Sequence, residues 1–186
     1  MTERVCPWWL GYLMVSPMRR WWMQSPEKLL APYLREGMTV LEPGPGMGFF
    51  TLPMAAMTGP TGRIVAVDIE ERMLASLRRR AARAGLLTRI ETRLAHPDSM
   101  GISDLKGAVD FTLAFAVVHE MTSTTAFFCA VADALKPAGL LLFAEPSGHV
   151  KPEEFQTELA AACGAGLEVL ERPAIRNNLA AVLRKK

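Results

Sequence analysis

Cysteine is scarce. The 186 residues hold three, Cys6, Cys129 and Cys163, far apart, odd in number and without metal-ligand spacing. A disulfide framework is excluded, and reduced thiols in a cytoplasmic protein are expected. Any run of roughly 18 uncharged apolar residues is missing too, so no membrane span is expected. The apolar stretch at 5–15 carries Pro7, Trp8 and Trp9 and is followed by no small-residue cleavage site. Arg19-Arg20 leads into no long apolar region, so neither a secretory nor a twin-arginine leader is expected. An excess of one charge sign is also lacking: 21 Lys and Arg against 19 Asp and Glu leave a net +2. The basic residues are mostly arginines and scattered, which gives nucleic-acid binding no support. The densest patch, RRRAAR at 78–83, falls on a predicted helix and reads as a solvated face. Fixed-period repeats and low-complexity segments are absent.

What is present is a chain 50% apolar and 22% charged, enough for one domain with one core. Ser25-Pro26 opens a helix that Gly37 closes, with Pro32 predicting a break inside it. From residue 38 strands and helices alternate. TVLEPG, RIVAVDI, VDFTLAF (109–115) and GLLLFAEP (139–146) read as buried strands, and RIETRLA (89–95) as a strand nearer an edge. GFFTLPMAAM, ERMLASLRRRAARAG, TTAFFCAVADALK (124–136) and KPEEFQTELAAACGAG read as the helices between and after them. LEVLERPAI and NLAAVLRK are separated only by Arg176 and Asn177, a gap that suits a hairpin and is too short for a helical crossover. The expected fold is α/β: a doubly wound, mostly parallel seven-stranded sheet with an antiparallel C-terminal hairpin, whose ligand binds beyond the carboxyl ends of the strands.

The first strand runs into VLEPGPGMGFFTL, with glycines at 44, 46 and 48. A phosphate-cradling P-loop needs a Lys followed by Ser or Thr, and Phe49-Phe50-Thr51 stands there instead. The dinucleotide pattern G-x-G-x-x-G fails in both registers, at Phe49 and at Thr51. The third pattern, acid-x-G-x-G-x-G with Glu42 two residues before Gly44, resembles the first motif of class I S-adenosylmethionine-dependent methyltransferases. VAVDIEERML at 65–74 resembles their second motif, VDFTLAFAVVHEM their fourth-strand segment, and LKPAGLLLFAEP their fifth strand with the turn before it. Glu42 replaces the commoner Asp, and Ala138 stands where the P-G-G turn has its first glycine.

The resemblance implies a Rossmann-like methyltransferase fold over 38–186, with S-adenosyl-L-methionine as cofactor and residues 1–37 as an N-terminal lid carrying one helix. The ligand has no phosphate, a sulfonium charge and a zwitterionic end, so it needs close backbone approach and nearby negative charge. Gly44, Pro45, Gly46 and Gly48 supply the approach, Glu42 the charge near the ammonium, and Asp68 the partner for the ribose hydroxyls. Ile69 is expected against the adenine, with Ala95, His96, Asp98 and Ala114 also around the cofactor. For Asp98, capping the short segment after it is an equal reading.

Methyl transfer mainly requires alignment and exclusion of water, and a base only when the acceptor must lose a proton. His119, Glu145 and His149 are the candidate catalytic residues, with Glu120 beside them. A metal site is not expected, and the three cysteines do not suit the arsenite-methylating relatives. The tryptophans at 8, 9, 21 and 22 need cover: the body of the domain, a second copy in a homodimer, or an apolar acceptor. No insert is large enough for a macromolecular substrate, and AFAV at 114–117 is no N-P-P-Y-type base-binding motif. A small-molecule acceptor is expected, resembling loosely the branch that methylates quinone precursors. The alternative is a non-catalytic partner subunit that only holds the cofactor.

Overall fold

The structure is a computed structural model that describes residues 25–96 and 99–186. The tryptophan-rich start, Cys6 and Asp98 lie outside the described residues. The first described helix, α1 (Pro26–Leu30), carries proline at its first turn and stops two residues before Pro32, where the sequence predicts a break. Leu29 and Leu30 bury themselves in the same core as the rest of the chain.

Seven strands form one sheet in the order β3-β2-β1-β4-β5-β7-β6. They are β1 (Thr39–Pro43), β2 (Arg63–Asp68), β3 (Ile90–Leu94), β4 (Val109–Phe115), β5 (Leu135–Pro146), β6 (Leu167–Glu171) and β7 (Asn178–Lys185). The first five are mutually parallel, and β7 runs antiparallel between β5 and β6. The central strands are buried on both faces, which is why they read as continuous apolar runs. On one face Val40, Ile64, Phe111 and Leu142 pack with α1, α2 (Thr51–Met57) and α3 (Glu71–Arg83). On the other, Leu41, Val65, Leu141 and Phe143 pack with α4 (Thr124–Ala134) and α5 (Pro152–Gly164).

Two elements differ from the sequence reading. β5 begins at Leu135 rather than 139, because Leu135 pairs with Val109 before a bulge brings Leu140 opposite Phe111. Within that bulge Ala138 adopts φ 62°. β6 ends at Glu171, and only Ile175 pairs again, with Asn178, around a tight turn in which Asn177 takes φ 59°. Arg78, Arg79 and Arg80 of α3 make side-chain hydrogen bonds, and Arg79 and Arg83 are exposed, as a solvated face requires. Arg78 donates to Thr92 and pairs with Glu71, Arg79 donates to Ser76, and Arg80 to the carbonyl of Met47. No helix among the described residues is long and apolar enough to cross a membrane.

Candidate active site

β1, β2, β4 and β5 end on one edge of the sheet, and chain order reverses between β1 and β4, where an open α/β sheet forms its crevice. The turn after β1 lines one side. Its glycines all take positive φ, 67° at Gly44, 53° at Gly46 and 85° at Gly48, a conformation costly to any side chain. They do different things. A methyl group on Gly44 would lie 2.6 Å from Cγ2 of Val117, and one on Gly48 2.4 Å from Cδ1 of Leu77. At Gly46 it would meet nothing within 4 Å, so here bare backbone faces open space. Pro45 is buried, and its carbonyl accepts the Gly48 N–H at 2.9 Å. Arg80 adds a brace to the same turn through Met47.

Glu42, near the end of β1, is 3% exposed and accepts a hydrogen bond from the Thr51 hydroxyl at 2.5 Å. Burial pushes its carboxyl up to about 8; the Thr51 bond opposes this, and the charge of Asp68 adds to it. Asp68 ends β2 and ties it to the glycine turn: Oδ2 accepts the Gly46 N–H at 3.3 Å and Oδ1 the Glu70 N–H at 2.9 Å. Burial raises this carboxyl as well. Among the described residues neither acid has an ion-pair partner. Beside Asp68, Ile69 is 47% exposed; Asp68 itself pairs in register with Leu94 of β3, which is 53% exposed. Ala95 donates its N–H to the Asp68 carbonyl at 2.9 Å, and His96 is exposed in a bridge to Ser99. Ala114 is fully buried in the core and offers no surface to the crevice.

Across the crevice, Glu145 at the end of β5 is fully buried. Its Oε1 accepts the Val118 N–H at 2.7 Å and the His119 N–H at 3.4 Å, and its Oε2 lies 2.5 Å from His119 Nδ1. The hydrogen bond to Glu145 raises the imidazole's affinity for a proton, desolvation opposes it, and the charges of Glu145, Glu120 and Glu158 add to it. His149 is exposed on the following turn, its ring 5.9 Å from that of His119 and nearly perpendicular. The structure thus brings His119, Glu145 and His149 together. Glu158, on α5, was not found from sequence; it sits on a segment read only as a helix, and no local pattern marks it. Among the described residues no three His, Cys, Asp or Glu side chains are grouped to hold a metal ion.

The crevice suits a cation without phosphate: one open length of backbone at Gly46, the buried acid Glu42, the partly buried acid Asp68, and the exposed apolar side chain of Ile69 next to it. Comparison with known proteins agrees. A family described as "Methyltransferase domain" matches residues 40–139. The ubiquinone/menaquinone biosynthesis C-methyltransferase UbiE of Escherichia fergusonii is 30% identical over 113 residues, 60% of this chain and 44% of that protein. The chain therefore spans under half the length of the curated relatives it matches. A SAM-dependent methyltransferase from Aquifex aeolicus superposes with a TM-score of 0.83 at 23% identity, over 97% of this chain and 98% of the other. The cyclase SpnF superposes at 0.73 and 18% identity, over 86% and 80%.

Proposed function

Given that the chain belongs to the methyltransferase-domain family, we propose that it uses S-adenosylmethionine to methylate a small molecule held between the glycine turn and His119. The observation that carries this reading is the Glu145–His119 pair, 2.5 Å apart on the same sheet edge as that turn. The bound cofactor supplies an electrophilic methyl group. Gly44 to Gly48 and Glu42 would hold its methionine end, Asp68 its ribose, and Ile69 its base. Glu145 accepts Nδ1–H of His119, which leaves the Nε2 lone pair free to take a proton from the acceptor. The buried carboxylate also fixes the ring's tautomer and stabilises the imidazolium that forms. His149, exposed beside the ring, stands at the entrance on the acceptor's side.

The activity named for the UbiE relatives, methylation at carbon in quinone biosynthesis, favours a small organic acceptor that loses a proton on transfer. To test this, the full chain is incubated with methyl-labelled S-adenosylmethionine and a cell extract, and the label is traced. Label in the organic-soluble fraction, lost with His119→Asn while S-adenosylhomocysteine still binds, supports the reading. Label in RNA, DNA or protein contradicts it. Cofactor binding with no label anywhere favours a non-catalytic partner subunit instead.

A further inference from the structure

Glu158 lies three residues after Phe155 on α5 and so shares its side of the helix. Phe155 is buried and stacks on Phe143 of β5 at 4.9 Å, which turns that side toward the strand carrying Glu145. The Oε2 atom of Glu158 is out of contact with solvent, and no group among the described residues donates a hydrogen bond to it. A buried acceptor left unsatisfied is costly, so such an atom calls for a reason. Its neighbour one turn back, Glu154, is engaged elsewhere, accepting the Lys151 N–H at 2.9 Å. Glu145 is engaged as well, by two backbone N–H groups and the His119 ring.

We propose that Glu158 is the third member of the His119–Glu145 site, a charge-balancing residue that offsets the positive charge His119 acquires when it takes the acceptor's proton. This rests on the reading of His119 as the base. In the step, the acceptor's X–H bond breaks and the proton goes to Nε2. The electron pair left on X forms the new bond to the methyl carbon, and the electrons of the broken S–CH3 bond stay on sulfur. His119 gains one positive charge, and Glu158, partly buried, releases its own proton to solvent. It acts through His119 and does not touch the acceptor.

The electrostatics run in the same direction. Burial and then the charge of Glu145 push Glu158 up to about 7, His119 pulls it down, and Glu154 raises it. Around the imidazole the titratable groups are Glu120 on its own turn, Glu145 from β5, His149 from the following turn and Glu158 from α5. Groups coupled this strongly lose their protons in steps that belong to the set.

The test is a histidine-ring NMR titration of the full chain, with and without S-adenosylhomocysteine, the signals of His96, His119 and His149 being assigned by single His→Gln variants. His119 is expected to titrate in two steps. Glu158→Gln should leave one step, its midpoint lower by about one pH unit, while Glu154→Gln keeps both. A single step in the unaltered protein, or an unchanged or higher midpoint in Glu158→Gln, overturns the proposal. The unaltered protein decides even if the variant fails to fold. The readout needs no turnover, so it separates failure of this coupling from failure of His119 as the base, which the methyl-transfer assay reads.

Discussion

Gly44 and Val117 are in direct steric contact, so the turn after β1 and the loop after β4 are fitted to one another: a methyl group on Gly44 would stand 2.6 Å from Cγ2 of Val117. Two residues beyond Val117 is His119, so the cofactor turn and the base share one packing contact. Gly44→Ala is expected to lower stability by about 2–4 kcal/mol, from overpacking together with the positive φ. Adding Val117→Ala should recover the steric part and leave about 1 kcal/mol of backbone strain. Urea unfolding of the two single variants and the double variant measures the coupling.

Glu42 gives the free protein a pH dependence of known sign. Its carboxyl is held up to about 8 in the folded chain, against an ordinary 4.5. Between those values the folded state keeps a proton that the unfolded chain has lost. Stability is therefore unaffected by this group below 4.5 and falls as pH rises toward 8. Glu42→Gln should match the native chain at pH 5 and exceed it above pH 8, as read by urea unfolding at both. The reverse order would show that the carboxylate is solvated or paired.

Thr112 sits in the middle of β4, fully buried, and its hydroxyl has no hydrogen-bond partner among the described residues. Valine has nearly the same shape without the hydroxyl. Thr112→Val is expected to stabilise the chain by about 1 kcal/mol, with no effect on cofactor affinity. Thermal or urea unfolding checks the first part and calorimetry the second.

Ala138 and Asn177 both take left-handed backbone, at φ 62° and 59°. Asparagine tolerates this region and alanine does not. Ala138→Gly relieves about 1 kcal/mol of strain and gives back roughly half of that in unfolded-chain entropy, so a small net gain is expected. Asn177→Gly should give none. Side-by-side urea curves compare them.

The sheet was legible because its buried strands are short apolar runs and its helices carry a clear period. VDFTLAF at 109–115 spans the observed β4 without a shift. The start of β5 was not legible, because a bulge lets Leu135 join the ladder from beyond the Pro137–Gly139 turn. In the site, Gly44, Gly46, Gly48 and Asp68 were marked by spacing, and His119 and Glu145 each by position at a strand end; their contact with one another was not legible. Nor were the different duties of the glycines, since Val117 and Leu77 reach them from other elements. Glu158 was missed for the same reason: it matters through a neighbour distant in sequence. Ala114 was placed by proximity to the motif, yet its side chain belongs to the core.

The seat for the cofactor is the central claim, and calorimetry with S-adenosylhomocysteine tests it most directly. The account predicts saturable binding at one site per chain with a Kd below about 100 μM, which corresponds to more than about 5 kcal/mol. Asp68→Ala and Gly46→Ala should each weaken it at least tenfold, about 1.4 kcal/mol, Gly46→Ala with only a modest loss of stability because its methyl meets open space. Absence of binding at that concentration, or undiminished affinity in both variants, would contradict it.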